Sequence, residues 1–257
     1  MEIVIISLIT FLGAVLTFFS GFGLGTILTP VMMVFFPVEV AIALTGIVHF
    51  SNNIFKLFIV GKYINKEVLV RFGIPAVIGA LVGSLLLFKI SGNTVAYSYI
   101  FFGNIKEVSL IKFVVSLLLI VFALIDLIPF FGKLKFNNKS LPLGGVLSGF
   151  FGGLTGNQGA LRSAFLIKFG LEKRVFISTT VVISSLVDFT RLSVYAKNLF
   201  SINLSDYYAL GVFAIFSGIL GSLLGNKLLE KVTLKSIRIL VAVLILLLAT
   251  GLLTGII

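Results

Sequence analysis

The sequence predicts an all-α polytopic membrane protein, because apolar residues are very abundant and are grouped in runs of membrane-spanning length. Of the 257 residues, 59% are hydrophobic and only 11% are charged, whereas soluble domains carry about 25% charged residues. Too few polar side chains are available to cover a surface exposed to water. Lipid is therefore the expected solvent of this fold.

Six apolar segments are each long enough for a helix of about 20 residues to cross a bilayer. They comprise residues 40–60, 69–90, 110–131, 175–196, 207–229 and 237–254. Two further apolar segments, 1–36 and 141–170, are interrupted by glycine residues. The first is long for one span and short for two, and this length favours two helices that meet inside the bilayer. We expect a broken helical hairpin in each of these two segments.

Charges in the loops predict how the chain is oriented. Three or four Lys or Arg residues occur in each of the loops 61–71, 132–140, 168–174 and 226–238, as is typical of cytoplasmic loops. The connections at 36–39, 91–109 and 197–206 carry at most one. Threading the chain through these sides places the N- and C-termini outside the cell. Each hairpin then returns to the side from which it enters.

The two halves of the chain thus have opposite orientations. Residues 1–131 form one unit, 132–140 a cytoplasmic connector and 141–257 a second unit. Each unit is a broken hairpin followed by three full spans. This arrangement is an inverted-topology repeat, which many secondary transporters share.

Sparse sequence identities support the repeat. A shift of 135 positions aligns Thr45 with Thr180 and Asn53 with Asp188, and it also places Lys56 on Arg191. Allowing three more residues in the second unit aligns the two occurrences of the sequence Gly-Ser-Leu-Leu, which begin at residues 83 and 221. Polar positions inside spans that match at one offset favour duplication over coincidence.

The hairpin tips are candidate binding elements. The first contains Gly21 and Gly23, and the second adds polar side chains to its glycines, as Gly156, Asn157, Gln158 and Arg162. Unwound backbone at membrane depth is tolerated where it is buried in protein or lines a cavity. A helix that begins there directs free N–H groups and its positive end inward, which suits an anion. The alternative is that the glycines serve only close helix packing.

Two spans carry polar stripes at helical spacing. In the span 40–60 the stripe contains Thr45, His49, Asn52 and Lys56, with Asn53 at its edge, and in the span 175–196 it contains Thr180, Ser184 and Arg191, with Ser185 and Asp188 at its margin. Such a spacing places side chains on one helix face. We interpret the two stripes as walls of one central site.

Charged groups within a bilayer usually face a cavity or a partner. For Arg162 we favour contact with a ligand over structural pairing, because its position in the hairpin does not readily let it reach a membrane surface. For Arg191 two structural alternatives to ligand contact stay open, since its side chain could extend to the membrane surface or pair with Asp188. The role of Lys56 is open in the same way. His49 and Asp188 are candidates for proton coupling, although a lone histidine is more often a neutral hydrogen-bonded group. Asp126, near a span end, is interpreted as structural.

Several classes of function are disfavoured by composition. The chain has no cysteine and one histidine, so disulfides are excluded and no metal site or cofactor is predicted. The net charge of +11 fits cytoplasmic loops rather than a nucleic-acid partner. ATP-driven transport by this chain alone is not expected, because a phosphate-binding loop of the Gly-Lys-Ser/Thr type is missing.

The glycine-rich segment Ser20–Pro30, its degenerate copy at Gly149–Arg162 and the three-span units resemble the sulfite exporter TauE/SafE family, also called the toluene sulfonate uptake permease family. The resemblance covers essentially the whole chain. It implies transport of sulfite, sulfonates or other small anions across the cytoplasmic membrane. The second copy reads Gly156-Asn157-Gln158-Gly159, lacks the proline of the family pattern and adds Arg162, which leaves the identity of the anion open.

The leading hypothesis is therefore a secondary transporter of a small anion in the plasma or inner membrane, and not an enzyme. It would work by alternating access about a midplane site, with proton coupling as an option. An anion-selective channel is the first alternative. An intramembrane enzyme that uses Ser184, Asp188 and His49 is the second. Expected partners are the solute and the lipid bilayer, and the oligomeric state stays open, a homodimer being one option.

Overall fold

The structure is a computed structural model that describes residues 1–18, 23–92, 94–128, 138–166, 169–199, 207–228 and 234–256. It is mostly helical. The first half contains α1 (Glu2–Phe18), α2 (Gly25–Phe35), α3 (Val38–Val60), α4 (Lys66–Ile90, with a π-helical turn at Leu69–Gly73), β1 (Val95–Phe101), β2 (Asn104–Ser109) and α5 (Leu110–Leu127). After a 3₁₀ turn (Asn138–Ser140), the second contains α6 (Leu141–Thr155), α7 (Gly159–Leu166), α8 (Lys173–Leu199), α9 (Tyr208–Leu228) and α10 (Leu234–Leu253).

Four helices of the described residues, α3, α4, α8 and α9, are long and apolar enough to cross a membrane. They coincide with four of the six spans that the sequence predicts. The other two predicted spans coincide with α5 and α10, whose 18 and 20 residues correspond to about 27 and 30 Å of helix. Large apolar side chains such as Phe58 and Phe216 lie exposed on the outer faces, as expected where a helix meets lipid. This is the architecture of a multi-pass membrane protein.

Each of the two glycine-interrupted segments contains two short helices. α1 is followed by Gly23, whose φ of +81° suits glycine, and α2 then runs for 11 residues. α6 ends at Gly156, which adopts a left-handed conformation with φ +75°, and α7 has only 8 residues, or about 12 Å. A helix of that length cannot cross a bilayer whose apolar core is about 30 Å thick.

The prediction of an all-α fold is wrong for residues 95–109. Strands β1 and β2 form an antiparallel hairpin between α4 and α5. This segment is rich in Val, Tyr, Ile and Phe, which favour strands. Its scarcity of cations indicates the side of the membrane but not the local structure, so the loop charges do not predict this hairpin. The hydroxyls of Tyr97 and Tyr99 donate to the carbonyls of Leu253 and Thr254, so the sheet is fixed against the end of α10.

Glycine residues allow the closest helix contacts. α4 packs on α6, and α1 packs on α9. A Cβ atom at Gly149 would lie 1.8 Å from the carbonyl oxygen of Ala76, and one at Gly221 would lie 2.3 Å from that of Phe11. Such small residues let backbones approach directly, as in other membrane helix pairs.

α3 and α8 pack against each other in the middle of the protein, and α2, α4, α6 and α9 contact this pair. α5 and α10 pack together, and α10 also contacts α2. The fold therefore places the two polar stripes face to face inside a ring of apolar helices.

Candidate functional site

A polar centre lies between α3 and α8. The side chains of both stripes are at least nine-tenths buried, namely Thr45, His49, Asn52, Asn53, Lys56, Thr180, Ser184, Ser185, Asp188 and Arg191. Polar groups in such a setting require partners, since each unsatisfied group costs several kcal/mol in a medium without water.

The carboxylate of Asp188 is the hub of this centre. Nδ1 of His49 lies 2.6 Å from its Oδ2, and Nδ2 of Asn53 donates to the same oxygen over 3.1 Å. Its Oδ1 accepts from Nε of Arg191 over 2.9 Å and from Nε2 of Gln158 over 3.3 Å. Donors from α3, from α8 and from the second hairpin thus converge on one acceptor group. Charge-assisted hydrogen bonds of this kind are stronger than neutral ones.

Arg191 lies inside the polar centre. Its side chain is fully buried and forms an ion pair with Asp188 one helical turn away. It therefore does not extend to the membrane surface. Asn53 and Asp188, which the 135-residue shift places at equivalent positions, contact each other directly.

Arg162 belongs to the same centre, although it stands on α7. Its side chain is 1% exposed, and Nη1 donates to Oγ of Ser184 over 2.5 Å. A Cβ atom at Gly23 would lie 3.7 Å from its Nη2. Arg162 thus lies between the second hairpin, α8 and the tip of the first hairpin.

Lys56 is also enclosed rather than directed to the membrane surface, because its side chain is 2% exposed. Its Nζ lies 5.2 Å from the centroid of the Phe18 ring, within the range of a cation–π interaction. Three basic side chains, Lys56, Arg162 and Arg191, therefore share this interior with Asp188. Across the described residues of the centre, positive charge exceeds negative charge.

A small cavity opens into the centre, lined by Thr17, Phe18, Gly23, Asn53, Lys56, Arg162, Thr180, Val181 and Ser184. The centre of a water molecule can occupy about 10 Å³ of this cavity. A volume of this size accommodates a single water molecule. A polyatomic anion is larger, so its entry requires that the surrounding elements move.

The two hairpin tips meet at this cavity. A Cβ atom at Gly23 would lie 2.7 Å from Nε2 of His49, and one at Gly25 would lie 3.0 Å from the carbonyl oxygen of Gly156. A Cβ atom at Gly156 would in turn lie 3.0 Å from Nη1 of Arg191. The glycines of both tips are therefore in direct contact with the functional candidates.

Some candidates lie apart from the carboxylate. Asn52 accepts a hydrogen bond from Ser222 of α9 over 2.7 Å and so connects α3 to α9. Thr180 donates to its own helix at Ile177. The hydroxyl of Thr45 and the side-chain amide of Asn157 are buried without a hydrogen-bond partner among the described residues. Gly21 and the side chain of Asp126 lie outside the described part of the structure.

Sequence reasoning missed Tyr195 and Ser222. Tyr195 is fully buried, and its hydroxyl donates to the carbonyl of Gly153 in α6. It lies four residues after Arg191 and so continues the stripe of α8, a signal that extending the stripe by one turn would have found. Ser222 stands in the repeated Gly-Ser-Leu-Leu sequence, but nothing in that sequence indicates Asn52 as its partner.

Within the described residues, groups of three or more His, Asp or Glu side chains that could hold a metal ion are absent.

Apolar spanning helices around enclosed ionisable side chains define a multi-pass membrane protein with a polar interior. The chain belongs to the sulfite exporter TauE/SafE family, whose model matches residues 6–252. Members are membrane transporters rather than enzymes, and membership implies the transport of sulfur-containing anions. No match was found among curated proteins or among solved structures.

Proposed function

We propose that this protein is a secondary transporter that moves a small sulfur-containing anion, such as sulfite or a sulfonate, by alternating access about the polar centre. The observation that carries this proposal is the charge of the centre. Lys56, Arg162 and Arg191 are each at most 2% exposed, and Asp188 is the acid that they share within the described interior. Burying several like charges together is costly, and an anion bound among these basic groups would add a counter-charge and reduce that cost.

The cavity suggests where the anion binds. Arg162, Ser184 and Thr180 line it from the second repeat, and Asn53 and Lys56 line it from α3. Gln158 and Asn157, whose side-chain amide has no hydrogen-bond partner among the described residues, stand at the start of α7, whose positive end favours an anion. Thr45 and His49 would add neutral hydrogen bonds. Gly21 and Gly23 would form the opposite wall.

Helix packing supports the inverted repeats. If the units 1–131 and 141–257 are equivalent, helices α1 to α5 correspond in order to α6 to α10. The α4–α6 contact then corresponds to the α9–α1 contact, and the α8–α4 contact corresponds to the α3–α9 contact. The contacts α3–α8 and α5–α10 each join a helix to its own equivalent in the other unit. A two-fold relation inside the membrane predicts this pattern, and alternating access would follow if one repeat rocks against the other.

The small volume of the cavity favours a mechanism in which the helices move over one with a permanently open pore. Because the tips touch at Gly25 and Gly156, an anion enters only when these elements separate. A channel would instead conduct through a continuous path. Saturable flux in liposomes would support the transporter, and flux that stays linear with solute concentration would favour the channel.

We further propose that the His49–Asp188 pair couples proton movement to transport. The two groups share a 2.6 Å hydrogen bond inside the site, and His is the side chain whose charge ordinarily changes near physiological pH. Their position beside Arg162 would allow protonation and anion binding to influence each other.

The proposed orientation in the cell membrane places both termini outside. It is testable because the chain has no cysteine. Single cysteines at Lys62 and Ser98, in intact cells, should differ in their reaction with a membrane-impermeant maleimide. Ser98→Cys should react and Lys62→Cys should not. The reverse result would invert the proposed topology.

The central experiment measures the thermal stability of the purified protein with sulfite, sulfate, sulfoacetate, taurine, acetate and lactate at constant ionic strength. A ligand that binds only the folded state raises stability by mass action. We expect a selective rise for sulfur-containing anions, and its loss in Arg162→Ala. The matched control is Arg71→Ala, since Arg71 is half exposed and pairs with Glu67 on the surface. A rise that persists in Arg162→Ala, or no rise at all, contradicts the proposal.

A further inference from the structure

The tip of the β1–β2 hairpin exposes large apolar side chains. Phe102 is 90% exposed, Ile100 74% and Ile105 71%. Between Val95 and Ile105 the chain carries no charged residue. A patch of this kind on a connecting segment usually marks an interaction surface.

The conformation of Phe102 is unusual for its residue type. Its φ is +47°, and the next residue, Gly103, has φ +77°. Two successive residues with positive φ are typical of the tight turns that join antiparallel strands, where Asn or Asp usually precedes Gly. A bulky residue in this region is strained. The turn by itself would be more stable with Asn at this position. The aromatic side chain therefore indicates a function other than stabilising the turn.

Contacts of the sheet place this tip at the edge of the protein. Tyr97 and Tyr99 are bound to the last turn of α10, so β1 runs across that helix end. Phe102 lies three residues beyond Tyr99, or about 10 Å along an extended strand. Because the side chain of Phe102 is almost fully exposed, few other residues of the protein contact it. The tip therefore extends past the end of α10, at the depth where a spanning helix leaves the apolar core.

Exposed apolar side chains also occur on the two helices that contact the hairpin, α5 and α10. Leu117 and Val121 on α5 and Leu244 and Leu247 on α10 are between 38 and 67% exposed. α5 and α10 pack on each other at one side of the helix assembly. The helices that adjoin the β1–β2 hairpin thus present apolar side chains to lipid, as the tip of the hairpin does to its surroundings.

We infer that the β1–β2 hairpin is a membrane-interface anchor, with Phe102, Ile100 and Ile105 inserted among the lipid headgroups and upper acyl chains beside α5 and α10. Aromatic side chains are favoured at this depth, and Tyr97 and Tyr99 at the base fit the same region. The anchor holds the connection between α4 and α5 down at the membrane surface. This inference does not depend on the transported solute.

The chain contains no tryptophan, which permits a direct test. Phe102→Trp introduces a unique fluorophore, to be measured in liposomes whose lipids are brominated at shallow chain positions. The references are Phe213→Trp, at an exposed apolar site within α9, and Lys62→Trp, in a loop. We expect blue-shifted emission that the brominated lipids quench, as at residue 213. Emission and acrylamide quenching like those at residue 62 would overturn the inference.

A second variant separates anchoring from folding. Phe102→Asn suits the positive φ and removes the apolar side chain, so the hairpin should fold at least as well. In proteoliposomes, a single cysteine at Ser98 should then react faster with an impermeant maleimide than in the parent background. An unchanged or slower rate would contradict the anchor. Protection of the tryptophan from both quenchers, together with dimer cross-linking, would assign the tip to a second copy of the chain instead.

Discussion

Nδ1 of His49 and Oδ2 of Asp188 lie 2.6 Å apart and connect the middle of α3 to the middle of α8. Neither side chain is more than 1% exposed. The same carboxylate binds Arg191 of α8 and Gln158 at the second hairpin tip, and His49 faces Gly23 at the first. A single buried carboxylate thus connects α3 and α8, Arg191 and the second hairpin tip directly, and it reaches the first tip through His49.

Replacing Asp188 by Asn should strongly destabilise the protein and abolish transport. Asn keeps the size of the side chain but leaves Arg191 buried without its counter-charge, and breaking a buried pair costs about 3–5 kcal/mol. Denaturation in detergent, with uptake into liposomes, measures both effects. The control is Glu67→Gln, whose partner Arg71 is 52% exposed, so that the loss should stay within about 1 kcal/mol. Equal losses in the two variants would mean that the buried network is not a major source of stability.

Replacing His49 by Gln should flatten the pH dependence of uptake. Gln can still hydrogen-bond to Asp188 but does not titrate, whereas a histidine side chain changes charge most readily between about pH 5 and 8. The initial rate of uptake should be measured across this range at a fixed membrane potential. A variant that remains active with the parental pH profile would exclude His49 as the proton carrier and leave Asp188 as the remaining candidate.

The sequence predicts the central site better than the connections around it. His49, Asn53 and Asp188 are found because intramembrane polar residues are rare and helical spacing groups them on one face. Arg162 stands out because a hairpin offers it no easy way to reach a membrane surface. The β1–β2 hairpin was missed, since loop charges specify sidedness and not local structure. The Asn52–Ser222 contact depends on how α3 packs against α9, which single-helix periodicity does not contain.

Replacing Gly23 by Ala should abolish transport through a contact with His49. The added Cβ would lie 2.7 Å from Nε2 of His49, so the ring must shift, and its 2.6 Å contact with Asp188 would be disturbed. Gly170 is a matched control, because its φ of +70° is similar but no described heavy atom lies within 4 Å of its built Cβ. Both variants should lose about 1–2 kcal/mol from the left-handed backbone. Only Gly23→Ala should lose uptake, and equal uptake in the two variants would show that this contact has no role in transport.

Replacing Gly149 by Ala should separate α4 from α6. The built Cβ lies 1.8 Å from the carbonyl oxygen of Ala76, and backbone atoms of α4 cannot yield as a side chain would. Overpacking of this kind costs typically about 1–3 kcal/mol.

The control for this substitution is Gly211 of α9, where a Cβ would meet nothing within 4 Å among the described atoms. Ala is a better helix former than Gly by about 0.5–1 kcal/mol, so Gly211→Ala should stabilise the protein. The two substitutions are chemically identical and both lie in apolar helices, yet their effects on the free energy of unfolding should have opposite signs. If both raise the stability, the glycines of α6 are not needed for close packing. A destabilised Gly149→Ala would show that backbone contact between α4 and α6 holds the second hairpin in place.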